Sequence, residues 1–152
     1  EEALELDPAS EAAHRAMARA LAGKWFGSDE IQLRFVRDAV QRHPEAPALS
    51  ALLVDVHVEV ASNRRRTSDD VSRYFQSPEV WQEVFPAAKR YAAAHPKDPW
   101  AHNNLAWLAW RGNRRDIAKH EFAILDGDFD DDAWDDDMTP EQALAWAESE
   151  AR

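Results

Sequence analysis

The spacing of apolar residues along the chain predicts helices over most of its length. Apolar side chains recur every three or four positions, the period that places them on one face of a helix. Alanine is common and there are only 4 glycines, a balance that also favours helices. We predict helices over roughly 9–22, 28–42, 47–62, 69–75, 78–92, 100–111 and 116–125, and a last one that starts at Thr139.

The segment at 47–62 allows two interpretations. Val54, Val56, Val58 and Val60 alternate with polar residues, as in a strand. Leucines and valines of the same segment also follow helical spacing. We favour a helix, because a lone strand needs a pairing partner and no other segment offers one.

Two later helices have features that bear on their packing. Pro86 falls inside the helix predicted at 78–92, and we expect a kink or a short break there. The helix predicted at 100–111 is apolar on two faces, which is typical of a central, buried helix.

A proline turn occurs twice between predicted helices. His43-Pro44 is followed by Pro47, and His95-Pro96 is followed by Pro99, a displacement of 52 positions (95 − 43). A helix, a turn and a helix that recur at this scale are typical of helical-repeat proteins.

The residues near these turns resemble tetratricopeptide (TPR) repeats. Residues 3–8, Ala-Leu-Glu-Leu-Asp-Pro, resemble the end of one repeat. A second, degenerate repeat is carried by Asp98-Pro99, Asn104-Leu105-Ala106, Gly112, Ala118 and Phe122. The resemblance implies an all-α fold of antiparallel helix pairs, stacked as an irregular TPR-like α-solenoid in one domain over 1–152. A further interpretation is that the chain is the C-terminal part of a longer repeat array, since it starts inside the end of a repeat.

A further resemblance covers the segment after the helix at 116–125. Gly127-Asp128, Asp130 and Trp134 are similar to a segment of uncharacterised bacterial helical-repeat proteins. We expect the aromatic rings of Phe129 and Trp134 to pin this acidic loop to the core.

The charge and hydropathy of the chain exclude several classes of partner. The formal net charge is -11, which argues against nucleic acid, since that binding depends on cationic residues. No apolar run approaches the roughly 20 residues that span a bilayer, and no signal peptide is visible. We therefore expect a cytoplasmic protein with no membrane partner. Cysteine is absent, so disulfides and thiolate metal sites are impossible.

The acidic loop is the one candidate for an ion site. Asp126, Asp128, Asp130 and Asp137 occupy positions 1, 3, 5 and 12 of a loop with EF-hand-like spacing, which can gather oxygen ligands around calcium. Position 6 is Asp131, where such loops have glycine, and position 12 is shorter than the usual glutamate. We therefore favour a solvated acidic loop over a calcium site.

The helix at 100–111 is a candidate wall of a partner-binding groove. Its candidate contacts are Trp100, Asn103, Asn104 and Trp107. Asparagine amides can hold the backbone or a carboxylate of a partner, and tryptophans often anchor interfaces. Core packing is the competing interpretation, and we favour it for the tryptophans because large aromatic residues mostly serve burial.

Two basic clusters are further candidates for partner contact. They are Arg64, Arg65 and Arg66 in a connector, and Arg114 and Arg115 before a helix. These clusters could meet an acidic partner segment, lie in solvent, or neutralise the protein's own aspartates.

The sequence carries no catalytic motif. It lacks a GxSxG elbow, a phosphate-binding glycine loop and an HExxH pair, and its histidines are scattered. We therefore expect no enzyme and no cofactor.

Our hypothesis is a protein-interaction module that binds a peptide or protein partner in a helical-repeat groove, as in a bacterial adaptor or a toxin- or effector-neutralising protein. The acidity suits a basic partner. The alternative is an enzyme or a small-molecule-binding domain with a pocket between helices.

Overall fold

The structure, a computed structural model, describes residues 6–22, 28–64, 67–134 and 137–149. Over these residues the chain is all-helical and contains no strand, which confirms the all-α class. The eight α-helices are α1 (Glu11–Ala20), α2 (Asp29–Arg42), α3 (Pro47–Arg64), α4 (Ser68–Gln76), α5 (Pro78–Ala94), α6 (Pro99–Arg111), α7 (Arg115–Leu125) and α8 (Pro140–Glu148), and a 3₁₀ helix covers Asp131–Ala133. None of these helices is long and apolar enough to cross a membrane.

Capping residues set the helix starts that the sequence indicated. The side chains of Ser10, Ser28 and Thr67 accept hydrogen bonds from backbone N–H groups in the first turns of α1, α2 and α4. Thr139 and Gln142 form a reciprocal capping box at the start of α8. Gly23 directly follows the first predicted helix and suits a helix end, but it lies outside the described residues.

The helix that starts at Pro47 and the helix that contains Pro86 are both continuous. The segment at 47–62 is helical, as favoured, and the strand interpretation is wrong. Buried Leu49, Val56 and Val60 face the core at helical spacing. A break at Pro86 is also wrong, because α5 continues through this proline, whose ring is exposed to solvent. The carbonyl of Gln82 loses its helical donor at Pro86, but both residues are exposed, so water can reach this carbonyl and the helix continues.

The chain forms two compact units, Glu1–Arg64 and Arg65–Arg152, so a single domain over 1–152 stays a prediction. In the first unit α2 packs against α3, and α1 contacts both. In the second unit α6 contacts α4, α5, α7 and α8, which confirms its central place. Its core includes small side chains that allow close helix packing, with two larger apolar side chains from α7: Ala106, Ala109, Ala118, Phe122, Leu125, Ala143 and Ala147.

Candidate functional site

A sharp turn after α7 directs the acidic loop back across α6. Asp126 and Gly127 both have positive φ, at 47° and 89°. Glycine adopts this left-handed backbone without steric cost, and aspartate tolerates it better than most residues. The N–H of Asp128 then donates to the carbonyl of Leu125 at 2.8 Å, which closes the turn.

Asn103 holds the returning loop in place. Its Nδ2 donates to the carbonyls of Pro99 (3.0 Å) and Asp128 (3.2 Å), and its Oδ1 accepts from Nε1 of Trp134 (3.0 Å). The side chain is fully buried. All the polar atoms of this amide therefore serve the fold, and the expected contact of Asn103 with a partner is replaced by a contact with the acidic loop.

Aromatic packing supplies the second attachment of the loop. The ring of Trp134 stacks on Phe122 with centroids 5.9 Å apart and an interplanar angle of 14°. The ring of Phe129 meets Phe122 edge-on at 5.8 Å. The predicted role of Phe129 and Trp134 as pins of the acidic loop is confirmed, because both rings pack against Phe122 of α7.

These attachments form an open cleft between the start of α6 and the loop, which we call the acidic cleft. Its volume is about 400 Å³ and its lining combines carboxylates with two aromatic rings: Asp98, Pro99, Trp100, Asp128, Phe129, Asp130, Asp131 and Asp132. Asp98 and Asp130 each accept a backbone N–H at 3.1 Å and cap their helices. The exposed carboxylates of Asp128, Asp131 and Asp132 form no ion pair within the described part of the chain.

The four predicted groove residues on α6 have different environments. Trp100 lines the cleft and is held by an edge-on contact with Tyr91 at 5.6 Å. Asn104 donates to the Trp100 carbonyl at 2.8 Å within its own helix. Trp107 is buried against Phe75, as the competing core interpretation expected. Of the four, Trp100 is the one that the structure brings to the cleft.

The aspartates with EF-hand-like spacing are separated by their own contacts. Asp126 forms the left-handed end of α7, and Asp130 caps the 3₁₀ helix. Asp137 is ion-paired with Arg111 at 3.1 Å instead of facing Asp128. Within the described ranges no three His, Cys, Asp or Glu side chains are placed to hold a metal ion. These four described aspartates have the sequence spacing of an ion site, but the structure does not group them around one point.

Of the two predicted basic clusters, the structure describes the side chains of the second. Arg65 and Arg66 lie outside the described residues, and so does the side chain of Arg64. Arg115 donates to the carbonyls of Trp146 and Ser149, so it satisfies the end of α8. Neighbouring Arg114 is exposed and lies over the ring of Trp81 at 5.2 Å.

A buried cation that the sequence did not indicate supports the far end of the loop. Arg111 is 1% exposed and its guanidinium lies 4.3 Å from the ring centroid of Trp110. It donates to the Ser68 carbonyl and hydroxyl and to Asp137. The hydrogen bonds from Arg111 and Ser68 lower the pKa of Asp137. An arginine at the end of an apolar helix gives no sequence signal that its charge is buried.

Comparisons with family models, with curated proteins and with solved structures find no match to this chain. The residues of the acidic cleft and their surroundings are therefore what supports a function.

Proposed function

We propose that this chain is a protein-interaction module that binds a basic peptide segment of a partner in the acidic cleft. The observation that supports this most directly is the pairing of Trp100 and Phe129 with five aspartates in one cleft. A lysine or arginine side chain can lie over an aromatic face while its charged end meets carboxylates. The chemistry of the lining therefore fits a cationic side chain better than a neutral one.

The overall charge supports the same partner. With a formal net charge of -11, the protein attracts cationic segments over longer distances. Such complementarity mainly accelerates association and improves specificity, and it weakens as salt is added.

The rigidity of the cleft also favours binding. Asn103 fixes the backbone at Asp128, and Phe122 holds the ring of Phe129, so both walls are in place before a partner arrives. A preformed surface loses less conformational entropy on association than a loop that must be ordered.

An irregular TPR-like α-solenoid is the architecture that we propose for this module. Successive helices of each unit pack against their neighbours in the chain, and four-residue proline turns join α2 to α3 and α5 to α6. Short connections of this kind are typical of antiparallel helix pairs. A bacterial adaptor, or a protein that neutralises a basic toxin or effector, would use such a surface.

The alternative of an enzyme or small-molecule site has one supporting observation. His102 lines a second cavity of about 120 Å³; its Nδ1 contacts Glu121 at 2.8 Å, and its buried Nε2 has no hydrogen-bond partner among the described residues. Pockets for drug-sized ligands are usually about 300–1,000 Å³ and enclosed. This cavity is smaller and the acidic cleft is open, so peptide binding is the better-supported function.

The experiment is a titration of the protein into a fluorescein-labelled peptide of lysine and arginine, followed by anisotropy at two salt concentrations. The wild type should bind more tightly at low salt. Replacing Asp131 and Asp132 together by asparagine should weaken binding about tenfold, since each exposed charge contact contributes up to about 1 kcal/mol.

The matched control removes the same charge elsewhere. Asp38→Asn with Asp116→Asn changes two exposed aspartates outside the cleft. It should alter the affinity less than about twofold, because distant exposed charges are screened. Equal losses in both double variants would show that net charge, and not the cleft, governs binding, and the proposal would be wrong.

A further inference from the structure

Four side chains form a continuous stack on the second unit, which we call the aromatic ladder: Lys89, Phe85, Trp81 and Arg114. Trp81 and Phe85 stack with centroids 4.9 Å apart at an angle of 13°. The ammonium of Lys89 lies 5.6 Å from the Phe85 centroid, and the Arg114 guanidinium lies 5.2 Å from that of Trp81. The two rings are therefore held between two cations.

The two cations of the ladder are available to a partner. Both Lys89 and Arg114 are exposed. Neither forms an ion pair with a carboxylate in the part of the chain that the structure describes. In a protein with 29 acidic residues, this leaves a positive site on an acidic molecule. Cation–π contacts orient these side chains without neutralising them.

The ladder is also held in a fixed position. The ring of Trp81 lies directly against Gly112, where an added Cβ would be 2.5 Å from Cζ3 of the ring. The rings of Trp81 and Phe85 are half-buried, so part of each still reaches the surface. Fixed aromatic residues beside arginine are the composition that is enriched where interfaces gain most of their energy.

We propose that the aromatic ladder is a second interaction surface, which binds an acidic peptide segment of a partner protein. Carboxylates of the segment pair with Lys89 and Arg114, and an apolar side chain between them covers the exposed edges of Trp81 and Phe85. This partner chemistry is opposite to that of the acidic cleft, so the inference does not depend on the function proposed above.

Charge selects the acidic peptide over two other occupants. Nucleic acid presents a dense line of phosphates, which a chain of net charge -11 repels, and two cations release few counterions. A second copy of the chain has the same excess of negative charge, and like charges oppose its approach. A short acidic segment with one apolar residue carries far fewer negative charges than a nucleic acid or a second copy of the chain, so the net charge of the protein opposes it least. Its carboxylates can pair with Lys89 and Arg114.

The experiment measures anisotropy of a labelled peptide in which aspartates and glutamates flank one leucine. We expect the wild type to bind it, and Lys89→Gln with Arg114→Gln to weaken binding about tenfold. The control variant Lys119→Gln with Arg42→Gln removes two exposed cations outside the ladder and should leave binding within about twofold. The variant Asp131→Asn with Asp132→Asn should not weaken binding of the acidic peptide, which separates this surface from the cleft.

A second readout does not depend on the variants. In ¹H–¹⁵N spectra of the wild type, the indole resonance of Trp81, assigned with Trp81→Phe, should shift when the acidic peptide is added. An unshifted Trp81 resonance, or equal losses of affinity in the ladder and control variants, would overturn the proposal. Binding of a DNA duplex that needs Lys89 and Arg114 would also overturn it, as would wild-type dimers in sedimentation that the ladder variant abolishes.

Discussion

The indole Nε1 of Trp134 donates to Oδ1 of Asn103 at 3.0 Å, which joins two residues 31 positions apart in the chain. The same amide donates to the carbonyl of Asp128, so one buried side chain fixes both sides of the 3₁₀ helix at 131–133. A buried amide can do this because it offers donors and acceptors in one plane. The acidic cleft exists because the loop returns to α6 at this residue.

Replacing Asn103 by alanine should therefore lower the free energy of unfolding by about 2–3 kcal/mol. The change leaves the indole N–H of Trp134 and the carbonyl of Asp128 without their partner in a buried place. Urea unfolding followed by circular dichroism measures the difference. The control is Asn104→Ala, which removes an amide that bonds only to the carbonyl of Trp100 in its own helix and should cost less than about 1 kcal/mol. Equal costs would contradict the role assigned to Asn103.

The sequence pattern predicted α6 and its burial, but not which of its polar residues faces inward. Asn103 and Asn104 are adjacent and chemically identical, and helical spacing gives both a plausible place at an interface. The inward direction of Asn103 depends on Pro99, Asp128 and Trp134 together, and the last two are distant in sequence. The aromatic pins were predictable because rings within an acidic loop have few alternatives to burial.

The contacts of the basic residues could not be predicted from the sequence. Arg114 and Arg115 are neighbours, yet one lies over Trp81 and the other satisfies the carbonyl ends of α8. Arg111 finds Ser68 and Asp137 at separations of 43 and 26 positions. The partners of long, flexible side chains are determined by tertiary packing, and the spacing of residues within one helix does not predict those partners.

The ion pair between Arg111 and Asp137 should make stability depend on pH in the acidic range. The pKa of Asp137 is lowered in the folded protein by its hydrogen bonds with Arg111 and Ser68. A lowered pKa gives stability that is fully present above the ordinary aspartate value of about 3.9 and is lost as pH falls through the folded-state value. The stability of the wild type should therefore fall more steeply below about pH 5 than that of Asp137→Asn.

Urea unfolding at a series of pH values tests this expectation. Other carboxylates contribute to the curve of the wild type, so the informative quantity is the difference between the two proteins. The control is Asp131→Asn, which removes an exposed aspartate with no ion pair in the described residues. A difference curve for Asp137→Asn that is flat with pH, or the same as the control's, would show that the ion pair adds no stability.

Gly112→Ala should destabilise the protein by about 1–3 kcal/mol through a steric clash. Gly112 has φ of -77°, a conformation that alanine adopts freely, so the backbone gives no reason for a cost. The added Cβ would lie 2.5 Å and 2.7 Å from two ring carbons of Trp81. Thermal unfolding of Gly112→Ala in the wild type and in a Trp81→Phe background measures the coupling, since phenylalanine lacks the second ring. A cost that is the same in both backgrounds would contradict this cause.

Pro86→Ala should stabilise the protein by about 1–3 kcal/mol. Proline inside a helix cannot donate to the carbonyl four residues earlier, here that of Gln82, and its ring crowds the preceding turn, at a cost of about 3 kcal/mol. Alanine restores the donor and propagates helix well, while the more flexible unfolded chain offsets part of the gain. The exposed ring of Pro86 means that little packing is lost with it.

The matched control is Pro78→Ala at the first position of α5, where the missing N–H has no helical acceptor, so no comparable gain is expected. The midpoints of urea unfolding measure the stability of the two variants. An equal gain in stability from Pro78→Ala and Pro86→Ala, or a loss of stability from Pro86→Ala, would show that α5 is adapted to its internal proline.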